Sequence, residues 1–265
     1  MNDQEESGTE YAVPPVHRAF ALLRHIAGGQ RCRNTSATAR ELGINRTTLI
    51  RLLHTLSAEG MIESPDGGAS WQIGPGMIAL AAEALRSRDL VRIAQPILEA
   101  LSADLSLSSH LGVMDGHEVV YLLREAPNTL LVSNVRAGSR LPAHATTIGR
   151  VLLAQMTDGA VTALYAGRPL AATTTKTPTN LDDLLSQIGR DRAAGHAWSH
   201  GNFEAGIGSC AVAVLDHRGK AVAGINVSGP ESSFAPGGPR AQQIREATVR
   251  AAAAISKGLG FQPAK

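Results

Sequence analysis

The sequence predicts an α+β protein in two parts, a small helical domain followed by a larger one built on an antiparallel sheet. Three observations point there. Apolar residues recur at helical spacing from Val16 to Leu56 and again from Met77 to Leu85. Two short strand candidates flank a turn-rich loop between those stretches. From Ser108 onward the period falls to two, with glycine- and proline-bearing turns between short apolar runs. Helices, then strands with helices among them, imply an α+β layering. At 265 residues the chain can bury two cores, and 43% apolar with 18% charged residues is a globular composition.

The first helix is expected over Val16–Ile26, where Val16, Ala19, Phe20, Leu22, Leu23 and Ile26 share a face and Gly28-Gly29 stops it. Thr35 or Ser36 can cap a second helix running to about Leu42. After the tight Gly43-Ile44 connection, Asn45 caps a third helix through about Glu59. Leu49, Leu52, Leu53 and Leu56 form its buried stripe. Thr47, Arg51 and His54 lie opposite, flanked by Arg46 and Thr48. The window Val16–Leu56 holds seven arginines and one acid, Glu41, whereas the whole chain carries a net charge of only +2.

A polyanion is the natural partner of such a face. An arginine on a helix can make two hydrogen bonds to guanine in the major groove, and a threonine can meet phosphate or a thymine methyl. Met61–Glu63 and Ser70–Ile73 then read as a wing around the loop Ser64–Ala69. The candidate DNA contacts are Ser36, Arg46, Thr47, Thr48, Arg51, His54 and Trp71. The competing reading is a three-helix bundle with a decorative hairpin and merely solvated arginines. Aromatics at 3% argue against stacking platforms for single strands.

Met77, Leu80, Ala81, Ala84 and Leu85 form a narrow stripe on a linker helix suited to packing against a copy of itself. A further helix is expected over Leu90–Leu105, with a start or kink near Pro96. Strands are expected at His110–Met114, Val119–Arg124 and Leu130–Val135. Helices are expected at Thr147–Gln155 and Leu181–Ala194, strands at Ile207–Leu215 and Ala221–Ser228, and a last helix at Arg240–Gly258. Pro169–Asn180 reads as a surface loop. The domain limits are a loose tail over 1–12, a DNA-binding domain over 13–75, a linker helix over 76–89 and a second domain over 90–262.

Several functions are disfavoured. Cys32 and Cys210 fall in different parts, so no disulfide framework is expected and a reducing cytoplasm is the simplest home. The polar, acidic N-terminus is no signal peptide, and no apolar run approaches membrane-spanning length. The histidines and cysteines lack zinc-site spacing, so no metal is expected. No phosphate-loop or dinucleotide fingerprint is present, so no cofactor is expected. Ser209, His144 and Asp216 can be drawn into a serine-hydrolase triad on paper, yet the nucleophile elbow is missing, because Gly206-Ile207-Gly208-Ser209-Cys210 lacks its closing glycine. A hydrolase of the C-terminal domain is the alternative function.

From Val13 to Phe261 the chain resembles an IclR-type transcriptional regulator. Asn45–Leu56 is similar to the family's recognition helix, and Glu59–Ile62 with Trp71–Gly74 to its wing. Leu141-Pro142-Ala143-His144-Ala145-Thr146-Thr147-Ile148-Gly149-Arg150 matches a signature block, with Arg150 where lysine is common. Gly206–Val214 and Asn226–Pro230 match two more. The resemblance implies winged helix-turn-helix domains joined by a helical linker to GAF-like effector domains, as a homodimer or dimer of dimers. It implies binding of double-stranded operator DNA, without a membrane, under control of a small molecule, frequently a carboxylate or aromatic acid. Repression is expected over activation.

The resemblance also implies an effector pocket. Leu141, Thr147, Ile148 and Gly149 belong to its loop-to-helix block, where backbone N–H groups at a helix start would favour a carboxylate. Ser199, Ile207, Ser209, Asn226 and Ser228 form the other wall, and Ser133 is a looser transfer. Some relatives that bind small keto acids have an acid at the position of Ser199 and a cysteine at that of Ser209. In this chain Cys210 comes one residue later and should point to the opposite face. Asn226 stands for the first serine of a Ser-x-Ser pair. The expected ligand is uncharged or mono-anionic with a sizeable apolar body.

Overall fold

The computed structural model describes residues 13–86, 89–127 and 135–262. It divides into two compact units, Met1–Ser87 and Arg88–Lys265. The proposed tail over 1–12 lies outside the described residues, as does nearly all of the strand candidate Leu130–Val135.

In the first unit, α1 spans Pro14–Ala27. It starts two residues before the expected Val16 because Pro14 and Pro15 occupy first-turn positions that need no N–H donor. α2 spans Thr35–Glu41, and its cap is Asn34 rather than Thr35 or Ser36. The Asn34 Oδ1 accepts from the N–H groups of Ser36 and Ala37, both at 3.1 Å. α3 spans Arg46–Ala58, with Asn45 Oδ1 accepting from Thr48 N at 2.7 Å as the spacing predicts. Leu22, Leu23 and Ile26 of α1 meet Leu49, Leu53 and Leu56 of α3 in one core. Leu52 sits at its edge.

The wing strands are shorter than expected. β1 (Ile62–Glu63) pairs antiparallel with β2 (Gln72–Ile73), Ile62 facing Ile73. The Asp66 carboxylate accepts from Ser64 Oγ, Ser70 N and Ser70 Oγ and so closes the loop between them. α4, Pro75–Arg86, follows. It begins against the turn at Gly60: a Cβ on Gly76 would lie 2.8 Å from Gly60 O, so only glycine permits that approach. Met77 packs on the unit's core, while Ile78 and Leu80 are 63% and 58% exposed.

The second unit opens with α5, Asp89–Leu105, which continues through the exposed Pro96 instead of starting there. Buried Val91, Ala94, Leu98, Leu101 and Leu105 keep one apolar face on both sides of the proline, so packing carries the helix past the missing N–H. β3 (Ser108–Asp115), β4 (Glu118–Glu125) and β5 (Arg140–Pro142) lead to α6 (Thr147–Leu153) and α7 (Asp158–Tyr165). α8 (Leu181–Ala194) matches its expected span and ends at Gly195 with φ 71°, a left-handed stop that glycine tolerates. β6 (Ala197–His200), β7 (Ile207–Leu215), β8 (Ala221–Pro230) and α9 (Pro239–Gly258) complete the chain.

The strands form one antiparallel sheet in the order β5-β4-β3-β8-β7-β6. α5 and α9 cover one face, and α6, backed by α8, lies on the other. Cys210 does face away from its neighbours on β7: it packs towards Thr248 of α9, and burial pushes its thiol up to about 12. α6 sits directly on a glycine pair. Gly112 and Gly224 are in register across β3 and β8, and a Cβ on either would lie within 3.2 Å of the Ile148 Cγ2 atom.

Candidate functional site

On α3 the side chains sort as the helical spacing requires. Leu49, Leu53 and Leu56 are buried, and Arg46, Thr47, Arg51 and His54 are exposed. Thr48 is half-buried. The Arg46 Nε donates to Thr35 Oγ1 at 3.3 Å, tying α3 to α2. Ser36 is exposed on the first turn of α2. Trp71 is half-buried against the helical core, and its backbone N–H donates to Arg31 O at 2.9 Å.

That bond fixes the α1–α2 loop beside the wing. It leaves Arg31 and Arg33 exposed, and Arg40 is exposed on α2. These three arginines were visible in the charge count but had no motif to single them out. The first unit thus presents cationic side chains from the α1–α2 loop, α2 and α3, held by a leucine core.

The second unit contains a small cavity of about 40 Å³, partly open to solvent, between the sheet and the segment leading into α6. Its floor follows from strand register. Ser199, Ser209 and Ser228 face one another across β6, β7 and β8. Asn226, two residues before Ser228, points to the same side and is in register with His110 of β3. Thr146 and Thr147 supply hydroxyls from the other wall, and Phe203, Glu204 and Ile207 form part of the rim.

A hydrogen-bond chain crosses the floor. Ser209 Oγ and Thr147 Oγ1 are 3.0 Å apart, Asn226 Nδ2 donates to Thr147 Oγ1 at 3.4 Å, and Asn226 Oδ1 lies 2.9 Å from His110 Nδ1. Burial, with the Arg124 cation adding to it against the bond from Asn226, pulls His110 down to about 4. Burial likewise raises the Tyr121 phenol, opposed by its bond to Thr146. His110 Nε2 and Ser228 Oγ are buried and have no hydrogen-bond partner among the described residues.

Of the sequence-derived effector residues, Thr147, Ser199, Ile207, Ser209, Asn226 and Ser228 come together in this lining. Leu141 is half-buried on β5, Ile148 is directed onto the glycine pair, and a Cβ on Gly149 would meet the Ala143 backbone at 2.1 Å. These three shape the block without lining the cavity, and Ser133 lies outside the described residues. Sequence reasoning did not select His110, Tyr121, Phe203 or Glu204. His110 joins the site only through its register with Asn226, which sequence does not display.

The rim is clasped from an unexpected side. Thr173, Thr174 and Thr177 donate to Asn202 O, at 3.2, 3.1 and 2.6 Å. Asn202 Nδ2 donates to Lys176 O. The threonine-rich loop over 169–180 is therefore a strap holding the segment that carries Phe203 and Glu204, and Thr177 is buried.

The paper triad does not assemble. Ser209 bonds Thr147, His144 Nε2 bonds Ala171 O at 3.0 Å, and Asp216 holds the N–H groups of Arg218 and Lys220 in a turn. Among the described residues no group of three or more His, Cys, Asp or Glu side chains is placed to hold a metal. No helix there is long and apolar enough to cross a membrane.

Comparison with known proteins agrees with this division. A family model described as IclR helix-turn-helix domain matches residues 15–66, and one described as bacterial transcriptional regulator IclR C-terminal matches residues 82–257. The chain is 29% identical over 249 residues to the HTH-type transcriptional regulator XynR of Escherichia coli strain K12, covering 94% of this chain and 98% of that protein. It is 25% identical over 260 residues to the HTH-type transcriptional repressor AllR of Salmonella typhi, covering 98% and 95%. Among solved structures, a transcriptional regulator, RHA06195, of Rhodococcus sp. RHA1 superposes with a TM-score of 0.82 at 30% identity, covering 94% of this chain and 98% of that one.

Proposed function

The chain belongs to the IclR family of bacterial transcriptional regulators, with a DNA-binding N-terminal domain and an effector-binding C-terminal domain, and we propose that it is a repressor whose grip on its operator is set by a compact organic effector. The observation that carries this reading is the pairing of two features: an outward cationic face on a capped helix, and a separate cavity floored by hydroxyl and amide groups. Residues 13–75 serve as the DNA-binding domain, 76–89 as the linker and 90–262 as the effector domain.

Thr47, Thr48, Arg51 and His54 enter the major groove, with Arg46, Ser36 and Trp71 beside them on the backbone. The effector contacts Thr147, Ser199, Ile207, Ser209, Asn226 and Ser228. Among the described residues no lysine or arginine lines the cavity and Glu204 does, which disfavours a multiply anionic ligand and is compatible with an uncharged or singly anionic one with an apolar body. The protein works in the cytoplasm without turnover, as a homodimer or dimer of dimers. The repressive sign is supported by the name of the relative AllR.

Two recognition helices per dimer must meet half-sites about one helical turn apart or a multiple of it. An effector that prefers one spacing shifts the population. Such coupling is typically worth about 1–3 kcal/mol and must be reciprocal. Anisotropy titration of the full-length protein with DNA from its own upstream region tests this, run at low and high salt and with candidate aromatic acids. Tight, salt-sensitive binding altered by an acid is expected. Equal affinity for unrelated DNA under every condition would refute it.

A further inference from the structure

We infer that the effector carries a hydrogen-bond donor, a hydroxyl or an N–H, which is accepted by Nε2 of His110, so that this histidine selects ligands by the presence of that donor. The inference rests on reading the cavity as the effector site.

His110 stands in the middle of β3, with Asn226 beside it on β8 and Arg124 on β4. It is 1% exposed. Its Nδ1 lies 2.9 Å from Asn226 Oδ1, and an amide oxygen only accepts, so the ring proton is on Nδ1. The other end of the amide, Nδ2, lies 3.4 Å from Thr147 Oγ1, to which it donates. Nε2 is then a bare lone pair, buried and without a partner among the described residues.

A second proton would turn that acceptor into a donor. Burial and the neighbouring Arg124 cation disfavour it, and with a pKa of about 4 the ring is neutral near neutral pH. Tyr121 meets the ring edge-on at 5.7 Å between centroids and limits its tilt.

A buried acceptor left unpaired is disfavoured, and because His110 lines the cavity, a ligand donor that reaches its free ring nitrogen satisfies it. A carboxylate at this point would set lone pair against lone pair, so any anionic end of the ligand lies elsewhere in the cavity. Ser228 Oγ, the other unpartnered group, can donate or accept and so does not discriminate. His110 does.

Two measurements on the full-length protein decide the matter. Long-range proton–nitrogen correlation with labelled histidine should show His110 as the Nδ1–H tautomer at about pH 7. An Nε2–H tautomer or an imidazolium there overturns the inference, whether or not any ligand binds. Calorimetry with fragment pairs differing only in O-methylation, beginning with 4-hydroxybenzoate and 4-methoxybenzoate, should show about tenfold or greater loss on methylation, as expected when a buried polar group is left unpaired. That difference should vanish in His110→Phe, whose fold is checked by its thermal midpoint. Equal binding of both members by the wild-type protein overturns the inference without needing the variant. If no fragment moves the His110 or Asn226 resonances, it is the reading of the cavity as the effector site that fails, a result distinct from the other two.

Discussion

Arg150 and Asp191 form an ion pair at 2.8 Å whose side chains are 1% and 5% exposed. The guanidinium also donates to Asp191 Oδ1 at 3.3 Å and to Trp198 O at 2.8 Å. One side chain of α6 therefore binds α8 and β6 together. Burial lowers the arginine's affinity for its proton, and the adjacent carboxylate opposes that.

Removing one member leaves the other buried and unpaired, a change that costs about 3–5 kcal/mol for pairs this enclosed. Asp191→Ala should lower the urea unfolding free energy of the second unit by that order. Asp191→Asn keeps an acceptor and should cost less. Denaturation of the two variants side by side checks the ranking, and a loss under about 1 kcal/mol in Asp191→Ala would mean that the pair is solvated.

The glycine pair under α6 makes a second prediction. A Cβ at position 112 would approach Val119 Cγ1 to 2.6 Å, and one at 224 would approach Ile148 Cγ2 to 3.0 Å. Overpacking of this kind typically costs about 1–3 kcal/mol. Gly112→Ala should cost more than Gly224→Ala, because a valine in a strand has little rotamer freedom to retreat. Both should displace the Thr147 end of α6, so effector affinity should fall further than stability does. Calorimetry beside urea denaturation separates the two effects.

These residues show why the fold was legible in the sequence while the site was only partly so. Asn45 and the leucine stripe act locally, through capping and helical periodicity, and each can be read in a window of a dozen residues. α7 escaped notice because eight residues give too short a period, and β5 and β6 are likewise too short to show alternation. Asn34 rather than Thr35 caps α2 because which of several competent side chains reaches the free N–H groups is settled by the incoming chain. The cavity depends on register: Ser199, Ser209 and Ser228 were found through a resemblance, but His110 and Arg124 become neighbours of Asn226 only when β4, β3 and β8 align. The threonine strap over 169–180 reads as loop composition, and its partner Asn202 is distant in sequence.

Asp66 supplies a pH prediction. The hydroxyl and backbone N–H of Ser70 donate to its carboxylate and, with Ser64, hold its pKa at about 2, against 3.8 ordinarily. The folded value lies below the unfolded one. The wing loop therefore gains from this group above the ordinary value and loses that support as pH falls towards about 2. A carboxyl titration by NMR should place the Asp66 midpoint near 2, with the Gly68 and Ser70 amide signals shifting over the same range. A midpoint near 3.8 would show that these bonds do not persist in solution.

The recognition helix gives the sharpest contrast, because Arg51 and Arg46 are both exposed on α3 but differently held. Arg46 is tied to Thr35 of α2, near the helix start, where a phosphate contact suits it. Arg51 stands a turn further on, where it can reach a base edge. Arg51→Ala should cost about 1–3 kcal/mol on the operator and relax preference at one base position, with little change on nonspecific DNA. Arg46→Ala should weaken every sequence alike and reduce the slope of log affinity against log salt by about one unit. Anisotropy titrations over a salt series, with the operator and with point-substituted copies, separate the roles. If Arg51→Ala weakens all sequences equally and Arg46→Ala relaxes specificity, the two roles are reversed, and the helix enters the groove with its first turn rather than its middle facing the bases.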